Sequence, residues 1–180
     1  MPIYLIRHGQ SEFNAAFQSG AADPMIFDAP LTAKGEAQAK QARIKVAELG
    51  IQHVLVSPFT RAIQTAQHIF QDDLPLNVVL GPHEQLSHSC DVGRSPAALK
   101  TDFPELNFDH LPDVWWHIGE ENELGYTVEP QDIFAPRIRQ YMQSIADLSP
   151  RPIALVAHGN VFKELVGYAM ENCEIYRYSG

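Results

Sequence analysis

The sequence is poor in the features that would place it in a membrane or in an oxidising compartment. Cys90 and Cys173 are its only cysteines, too few for a disulfide framework, and no CxxC pattern is present. The apolar stretch at residues 2–6 is too short for a signal peptide. No other hydrophobic run reaches the length of a helix that spans a bilayer. We therefore expect a cytoplasmic protein with reduced thiols.

Positive charge is also scarce. The 13 lysines and arginines stand against 22 aspartates and glutamates, which makes the formal net charge −9. A protein with this balance repels nucleic acid and anionic membranes, so we expect neither as a partner. Any anionic ligand must be held by a local cluster of cations. The length favours one domain over residues 1–180, and no pattern indicates its oligomeric state.

Four short apolar runs rich in β-branched residues divide the chain. Consecutive apolar positions over this length are typical of strands buried on both faces of a sheet. A fifth stretch, residues 173–178, alternates between apolar and polar positions and favours an edge strand. The four buried runs are residues 3–6, 53–56, 77–80 and 153–157.

Helical patterns lie between these runs. One helix is predicted over residues 32–49, with its first residue, a threonine, as the N-cap. Ser57-Pro58 has the cap-plus-proline pattern of a second helix start. Apolar spacing predicts two more helices, over residues 134–148 and 161–169. The alternation predicts an α/β fold: a three-layer sandwich with a mostly parallel central sheet and helices on both faces.

The middle of the chain, residues 81–130, has a different character. It contains several prolines, four histidines and the pair Trp115-Trp116, without clear periodicity apart from a short helix predicted over residues 95–100. A stretch of this length without periodicity is usually functional. We expect an ordered insertion that covers the carboxyl-terminal edge of the sheet and the substrate. The tryptophans either line a substrate pocket or pack the insertion onto the sheet.

Charged and histidine residues follow each of the four buried runs. In an open parallel sheet the carboxyl ends of the strands share one edge, and ligands bind in the crevice above it. The predicted fold therefore gathers residues that are far apart in the sequence. In chain order they are Arg7, His8, Arg61, Glu84 and His158.

These residue types suit a phosphate group. Guanidinium groups match phosphate oxygens and stay charged, while an imidazole can accept a phosphoryl group at neutral pH. A glutamate beside a bound dianion has a raised pKa and can protonate a leaving oxygen. We expect Gly9 and Gly159 to let the backbone approach the ligand. Helix starts after Ser57 and His158 are expected to add amide donors.

Four stretches carry a specific combination of motifs. They are RHGQSEFN (7–14), LTAKGEAQA (31–39), SPFTRAIQTA (57–66) and AHGN (157–160). In this order they resemble the histidine phosphatase superfamily, in its phosphoglycerate mutase-like branch. The resemblance covers the whole chain and is thin between residues 81 and 130. Each motif alone would be a weak signal, whereas the combination is highly specific.

The resemblance implies a role for each of the pocket residues. His8 matches the nucleophile that becomes a phosphohistidine. Arg7, Arg61 and His158 match the other members of the phosphate pocket. No metal and no cofactor is implied.

Further roles follow from the resemblance at less constrained positions. Asn14 matches a residue that commonly contacts the phosphate, and Ser11 is a second candidate for such a contact. Glu84 is the best match for the proton donor, because it follows the third strand. Asp91 and Glu105, in the same insertion, are the alternative acids.

We therefore predict a metal-independent phosphoric monoester hydrolase for a small phosphorylated metabolite, acting through a phosphohistidine. One alternative is a phosphoglycerate-type mutase, disfavoured because the chain lacks longer insertions that enclose the intermediate. A non-catalytic module that binds phosphorylated ligands is another, disfavoured because every pocket residue is present. Arg94 is a candidate contact for a second anionic group of the substrate, with an exposed arginine as the alternative reading.

Overall fold

The computed structural model describes residues 2–179, within which five strands form one sheet in the order β3-β2-β4-β1-β5. Neighbouring strands are parallel except for β5, which pairs with β1 in the antiparallel direction. The strands are β1 (Ile3–Arg7), β2 (His53–Val56), β3 (Leu76–Val78), β4 (Ile153–Ala157) and β5 (Ile175–Tyr178). All five predicted strands are present, and the last of them is the expected edge strand.

The register of the parallel strands places their carboxyl ends level with one another. Arg7, the last residue of β1, pairs with Ala157, the last residue of β4. Val56 at the end of β2 pairs with Val156, one residue before the end of β4. Residues that follow these three strands therefore leave the sheet at the same edge.

Helices cover both faces of the sheet, which confirms the predicted three-layer arrangement. The helices α2 and α3 pack together on one face, and α5 and α6 pack together on the other. Their bounds are α1 (Glu12–Ala16), α2 (Ala33–Val46), α3 (Thr60–Phe70), α4 (Pro96–Asp102), α5 (Gln131–Ser144) and α6 (Gly159–Val166). None of the helices in this part of the chain is long and apolar enough to cross a membrane.

Side chains of the central strands alternate between the two layers. In β4, Val156 packs in the cluster with α2 and α3, whereas Leu155 packs in the cluster with α5 and α6. Both side chains are fully buried because β4 has a strand on each side and helices on both faces. Complete burial of an aliphatic side chain contributes about 1.5–3 kcal/mol to stability. This explains why the central runs are apolar at consecutive positions.

The predicted cap at Ser57 is wrong. Helix α3 begins at Thr60, and its N-cap residue is Phe59, which makes no side-chain cap. The amide of Thr60 instead donates to Oδ1 of Asp28 at 2.9 Å. Ser57 and Pro58 remain outside the helix, which leaves the Ser57 hydroxyl available for another contact.

Other helix boundaries differ by a few residues from the predicted ones. Helix α2 has the predicted threonine N-cap, Thr32, and continues into a 3₁₀ turn, Ala47–Leu49. Helix α6 ends at residue 166 because Gly167 adopts a left-handed conformation, with φ at 83°. The short helix α1 was not predicted, since five residues are too few to show a periodic pattern.

Residues 81–130, called the cover segment from here on, form the ordered insertion expected over this edge of the sheet. They contain α4 and a 3₁₀ turn, Ser89–Asp91. Apolar side chains of the cover segment, Trp115 among them, belong to the same core cluster as Phe59 and Val56. The cover segment therefore packs directly on the strand edge that carries the candidate site.

Candidate active site

The ends of β1, β2 and β4 bring the two predicted histidines together. The amide of His8 donates to the carbonyl oxygen of Ala157 at 3.0 Å, and the amide of Ser57 donates to that of Val156 at 3.1 Å. His158 follows β4 directly, and both imidazoles are buried. Their ring centroids lie 5.3 Å apart.

The imidazole of His8 is held in one tautomer. Its Nδ1 lies 2.7 Å from the carbonyl oxygen of Gly9. Because a carbonyl oxygen can only accept, Nδ1 carries the proton and Nε2 carries the lone pair. Burial, together with the charges of Arg61 and Arg7, lowers the pKa of His8 well below its usual value. The ring is therefore neutral, which is the form in which an imidazole acts as a nucleophile.

Arg61 extends from the first turn of α3 and is held by the cover segment. Its Nη1 donates to the carbonyl oxygen of Cys90 at 2.8 Å, and its Nη2 lies 3.0 Å from Oδ1 of Asp91. The side chains of this ion pair are only 3% and 4% exposed. The guanidinium also lies over the ring of Phe59, 4.4 Å from its centroid. A buried guanidinium needs a counter-charge, and Asp91 provides it.

Arg7 and His158 each have a buried nitrogen without a hydrogen-bond partner. Among the described residues these nitrogens are Nε of Arg7 and Nδ1 of His158. Arg7 donates through Nη1 to the carbonyl of Met170, and His158 Nε2 lies 2.6 Å from the hydroxyl of Ser57. Buried polar atoms normally have partners. A guanidinium and an imidazole in this state can both donate to the oxygens of an anion.

Glu84 is buried at the amino terminus of α6. Its Oε2 accepts from the amide of Asn160 at 3.0 Å, and its Oε1 accepts from the amides of Gln85 and Val161 at 2.9 and 3.3 Å. Burial raises the pKa of Glu84 to about 7, and the charge of Asp91 acts in the same direction. Near neutral pH this carboxyl group can therefore either give or take a proton.

Glu84 lies within electrostatic reach of both arginines. Burial lowers the pKa of Arg7, and the charge of Glu84 is the largest effect that opposes it. For Arg61, burial also acts to lower the pKa, but the surrounding negative charges outweigh it and raise the pKa. The predicted residues Arg7, His8, Arg61, Glu84 and His158 thus form one group.

The amides at the two helix starts already have partners in the protein. Those of Asn160 and Val161 donate to Glu84, and that of Thr60 donates to Asp28. The expectation that the helix starts would donate to a ligand is therefore wrong for these amides. Each helix start is satisfied by a buried carboxylate, which also complements the positive end of the helix dipole.

The glycine after the first strand meets another backbone segment. A Cβ atom at Gly9 would lie 2.5 Å from the carbonyl oxygen of Gly35, and one at Gly35 would lie 2.1 Å from that of Gln10. The two segments approach more closely than any side chain permits. Gly9 therefore has a packing role, and the expected approach of its backbone to a ligand stays a prediction. Gly159 lies beside the guanidinium of Arg7, where a Cβ would be 3.4 Å from Nε.

Ser11 and Asn14 bond to each other. The amide of Asn14 donates to Oγ of Ser11 at 3.1 Å, and the amide of Ser11 donates to Oδ1 of Asn14 at 3.2 Å. This reciprocal arrangement is a capping box for α1. Each side chain thus has a structural partner in the protein. The predicted contacts of both side chains with phosphate stay predictions.

Arg94 is engaged by acidic partners of the protein. Its Nε donates to Asp28 at 2.8 Å, its Nη1 to Asp102 at 2.6 Å and its Nη2 to the hydroxyl of Thr60 at 2.8 Å. The predicted contact with a second anionic group of the substrate stays a prediction. Two carboxylates already balance the charge that such a contact would use.

The adjacent tryptophans have different environments. Trp115 is buried, packs edge-on against Phe59 at 4.8 Å between centroids, and donates from Nε1 to the carbonyl of Arg94 at 2.8 Å. This favours the packing interpretation for Trp115. Trp116 is partly buried and lines a cavity within the cover segment.

Comparison with known sequences agrees with this geometry. A profile described as "Histidine phosphatase superfamily (branch 1)" matches residues 3–178. The chain belongs to the histidine phosphatase superfamily. The match confirms the resemblance carried by the four sequence motifs, and members of this superfamily are phosphatases and mutases.

The curated relatives in this superfamily match part of their length only. The protein "Probable phosphoglycerate mutase GpmB" of Enterobacter sp. (strain 638) is 38% identical over 82 residues, which are 46% of this chain and 36% of that protein. The protein of the same name from Escherichia coli O1:K1 is 41% identical over 71 residues, which are 39% and 31% of the two chains. The match thus covers about a third of each relative.

Solved histidine phosphatase structures share the fold over nearly the whole chain. The alpha-ribazole phosphatase from Shigella flexneri has a TM-score of 0.61 at 22% identity, over 93% of this chain and 80% of that one. A mycobacterial glucosyl-3-phosphoglycerate phosphatase complexed with VO3 has a TM-score of 0.65 at 21% identity, over 99% and 91%. At this level of identity the comparison shows the fold alone.

Two of the three candidate acids lie in this histidine phosphatase site. Glu105 accepts from the side chain of Gln67 at 2.8 Å on the exposed surface, away from the buried group. Asp91 is in the group, but its Oδ1 is paired with Nη2 of Arg61 at 3.0 Å. Glu84, whose pKa is raised to about 7, remains the best candidate for the proton donor.

Some residues that organise the site were outside the predicted set. Thr65 accepts from the amide of Gly9 at 3.0 Å and donates to the carbonyl of Arg61 at 2.7 Å, so it joins the turn after β1 to helix α3. Ser57 bonds His158. Both residues lie within the motif at 57–66, which was a usable signal, but their partners are remote in the sequence.

Proposed function

We propose that this histidine phosphatase family member hydrolyses phosphoric monoesters through a phosphohistidine intermediate. The observation that carries the proposal is the state of His8: a neutral, buried imidazole whose Nδ1 is bonded to a carbonyl, beside two guanidiniums. This arrangement leaves the Nε2 lone pair for attack on phosphorus. The proposed reaction uses no metal ion.

In the first transfer, Nε2 of His8 forms a bond to phosphorus as the bond to the ester oxygen breaks. The departing oxygen takes a proton from Glu84, so a neutral alcohol leaves. Arg7, Arg61 and His158 donate to the non-bridging oxygens, where charge shifts in the transition state. The unpartnered nitrogens of Arg7 and His158 support this role.

In the second transfer, water replaces the alcohol. The ionised Glu84 takes a proton from the water as its oxygen bonds to phosphorus and the phosphorus–nitrogen bond breaks. The products are inorganic phosphate and the original neutral His8. A carboxyl group with a pKa of about 7 suits both roles, because it is neither fully protonated nor fully ionised near neutral pH.

Trapping the intermediate tests this proposal. Rapid acid-free quenching of the enzyme with a ³²P-labelled monoester should show one phosphoryl group on His8, stable to alkali and labile to acid. A burst of alcohol release before the steady state would show that hydrolysis of the phosphohistidine is the slower transfer, and its absence would show that transfer to His8 is slower. A protein that releases phosphate from a broad panel of monoesters but never carries label on His8 would contradict the mechanism.

A phosphomutase is the second candidate, because the curated relatives are named as phosphoglycerate mutases. A mutase returns the phosphoryl group to another hydroxyl of the substrate and releases little phosphate. Incubation with 3-phosphoglycerate separates the two. Isomerisation without phosphate release would replace hydrolysis as the conclusion.

A further inference from the structure

The cover segment is strongly acidic. It contains ten aspartates and glutamates but only two basic residues besides histidine, Arg94 and Lys100. Because it packs over the strand ends, its charges are the ones that the part of a substrate beyond the phosphate would meet. Distant surface charges are screened by salt, so the acids close to the site decide this effect.

Both cations of the cover segment already have partners in the protein. Arg94 is balanced by Asp28 and Asp102. Lys100 donates from Nζ to the carbonyl of Leu106 at 2.7 Å. The charge of Arg94 is thus already compensated by two carboxylates before any carboxylate or second phosphate of a substrate is bound.

The cations of the pocket itself have little charge to spare. Arg61 is paired with Asp91 at 3.0 Å, and the charge of Glu84 acts on both Arg61 and Arg7. One phosphate dianion already matches the two guanidiniums in charge. Another anionic group would be placed near Glu84 and Asp91 without a counter-charge, and burying an unpaired charge is costly.

A cavity of about 340 Å³ lies within the cover segment. Its ionisable lining residues are His117, Glu121 and Tyr126, and none of the described residues that line it is a lysine or an arginine. Its apolar lining residues are Leu86, Val92, Val114, Trp116 and Ile118. Such a surface suits an apolar or neutral group.

The chain connects this cavity to the two acids of the site. Its lining residue Leu86 is two residues beyond Glu84, the proposed proton donor, and its lining residue Val92 is next to Asp91. The leaving oxygen must be close to Glu84 to take its proton. The remainder of the leaving group is therefore directed toward the cover segment.

A chain of packed rings also connects the cavity residue Trp116 to His158, one of the two site histidines. The ring of His158 lies 5.2 Å from that of Phe59, which lies 4.8 Å from Trp115, and Trp115 lies 5.4 Å from the cavity residue Trp116. The ring of His83 lies 6.1 Å from that of Trp115, and its Nδ1 is buried without a hydrogen-bond partner, the one such side-chain atom in the described cover segment. An imidazole can bond a neutral hydroxyl group of a substrate.

We propose that the cavity of the cover segment holds the leaving group of the substrate, and that this group is a partly apolar alcohol without a negative charge. The enzyme would then discriminate against monoesters that carry a carboxylate or a second phosphate. The inference depends on the proposed phosphatase function, and it names the substrate class of that same site.

Matched pairs of substrates test the charge requirement. Glycerol 3-phosphate and 3-phosphoglycerate differ only in a hydroxymethyl group against a carboxylate, and phenyl phosphate and 4-carboxyphenyl phosphate differ only in a carboxylate. In each pair we expect kcat/KM to be at least about tenfold higher for the member without the carboxylate, because like charges brought together oppose binding. Equal or higher kcat/KM for the carboxylated members would overturn the inference and leave the phosphatase function intact.

The same assay distinguishes failure of the proposed function from failure of this inference alone. If none of the four monoesters releases phosphate and His8 takes up no label from any of them, the phosphatase proposal fails and this inference fails with it. Phosphate release from all four at similar kcat/KM overturns only the inference.

A charge placed in the cavity tests its location. Ile118 lines the cavity and is 71% exposed, so Ile118→Lys should fold normally. We expect it to raise kcat/KM for 4-carboxyphenyl phosphate relative to phenyl phosphate by about threefold or more, the size of a partly screened charge pair. Ile44→Lys on α2, where the side chain is 61% exposed, is the matched control and should leave the ratio unchanged. An unchanged ratio in Ile118→Lys would overturn the cavity as the leaving-group site.

Discussion

The site has a floor and a cover, and the two are organised differently. The floor consists of Arg7, His8, Arg61 and His158. Arg7, His8 and His158 lie at the ends of β1 and β4 and are placed by a strand register that extends over several paired residues, whereas Arg61 lies on the first turn of α3. The cover segment instead places its acids through individual long-range contacts, such as the ion pair between Asp91 and Arg61.

In the proposed mechanism this difference separates binding of the phosphate from proton transfer. The floor holds the proposed donors and nucleophile, at the edge of the sheet. The cover segment holds the two acids, Glu84 and Asp91, and we propose that it sets the charge balance and the proton transfers. Substitutions in the floor should abolish activity, whereas substitutions in the cover should change its pH dependence and selectivity.

The largest effect is expected in the floor. His8→Asn removes the nucleophile while an amide of similar size fills its place, so kcat should fall by at least about 10³-fold with every monoester. Steady-state phosphate release measures this, with circular dichroism to confirm the fold. His110→Asn, the same change at an exposed histidine of the cover segment, is the control and should keep full activity. Activity retained by His8→Asn would contradict the mechanism.

A smaller loss is expected at the proton donor. Glu84→Gln keeps an oxygen for the amides of α6 but cannot donate a proton, so kcat/KM for an alkyl monoester should fall by about 10²–10³-fold. The loss should be much smaller for 4-nitrophenyl phosphate, whose leaving group needs no proton.

The pH profile checks the same residue. The acid form of Glu84 is lost as pH rises through its pKa of about 7, so kcat/KM of the parent enzyme for alkyl monoesters should decline above that pH. This decline should be absent in Glu84→Gln. A decline that persists in the variant would assign the proton donor to another group.

The smallest of the three effects is expected in the cover segment, at the acid that pairs with Arg61. Asp91→Asn removes the charge that holds Arg61, so kcat/KM should fall by about tenfold through misplacement of the guanidinium. The free energy of unfolding should fall by about 1–3 kcal/mol, because a buried charge loses its partner. Chemical denaturation measures the second effect.

The same variant should also shift the pH profile. The negative charge of Asp91 raises the pKa of Glu84, so its removal lowers that pKa, and the decline in kcat/KM should begin at a lower pH. Asp109→Asn, at an exposed acid of the cover segment, is the matched control. A decline that stays near pH 7 in Asp91→Asn would show that Asp91 does not act on Glu84.

The strands and the floor were the parts that local sequence could predict. The runs of β1, β2 and β4 are apolar at consecutive positions because these strands are covered on both faces. The residues after them were predicted to meet, and Arg7, His8 and His158 lie where expected. Helix starts were less predictable, since the cap of α3 comes from Asp28, 32 residues away in the chain.

By itself the sequence determined the order of strands and helices and the candidate nucleophile and cations, because these follow from short apolar runs and the residues after them. Only the tertiary structure decided which candidate acid is buried among these residues with a raised pKa, and what balances Arg61. Glu84 reaches the amide of Asn160 across 76 residues, and Asp91 reaches Arg61 across 30. The physical reason is that burial and nearby charges set the pKa of a side chain. Both depend on contacts between segments that are distant in the sequence.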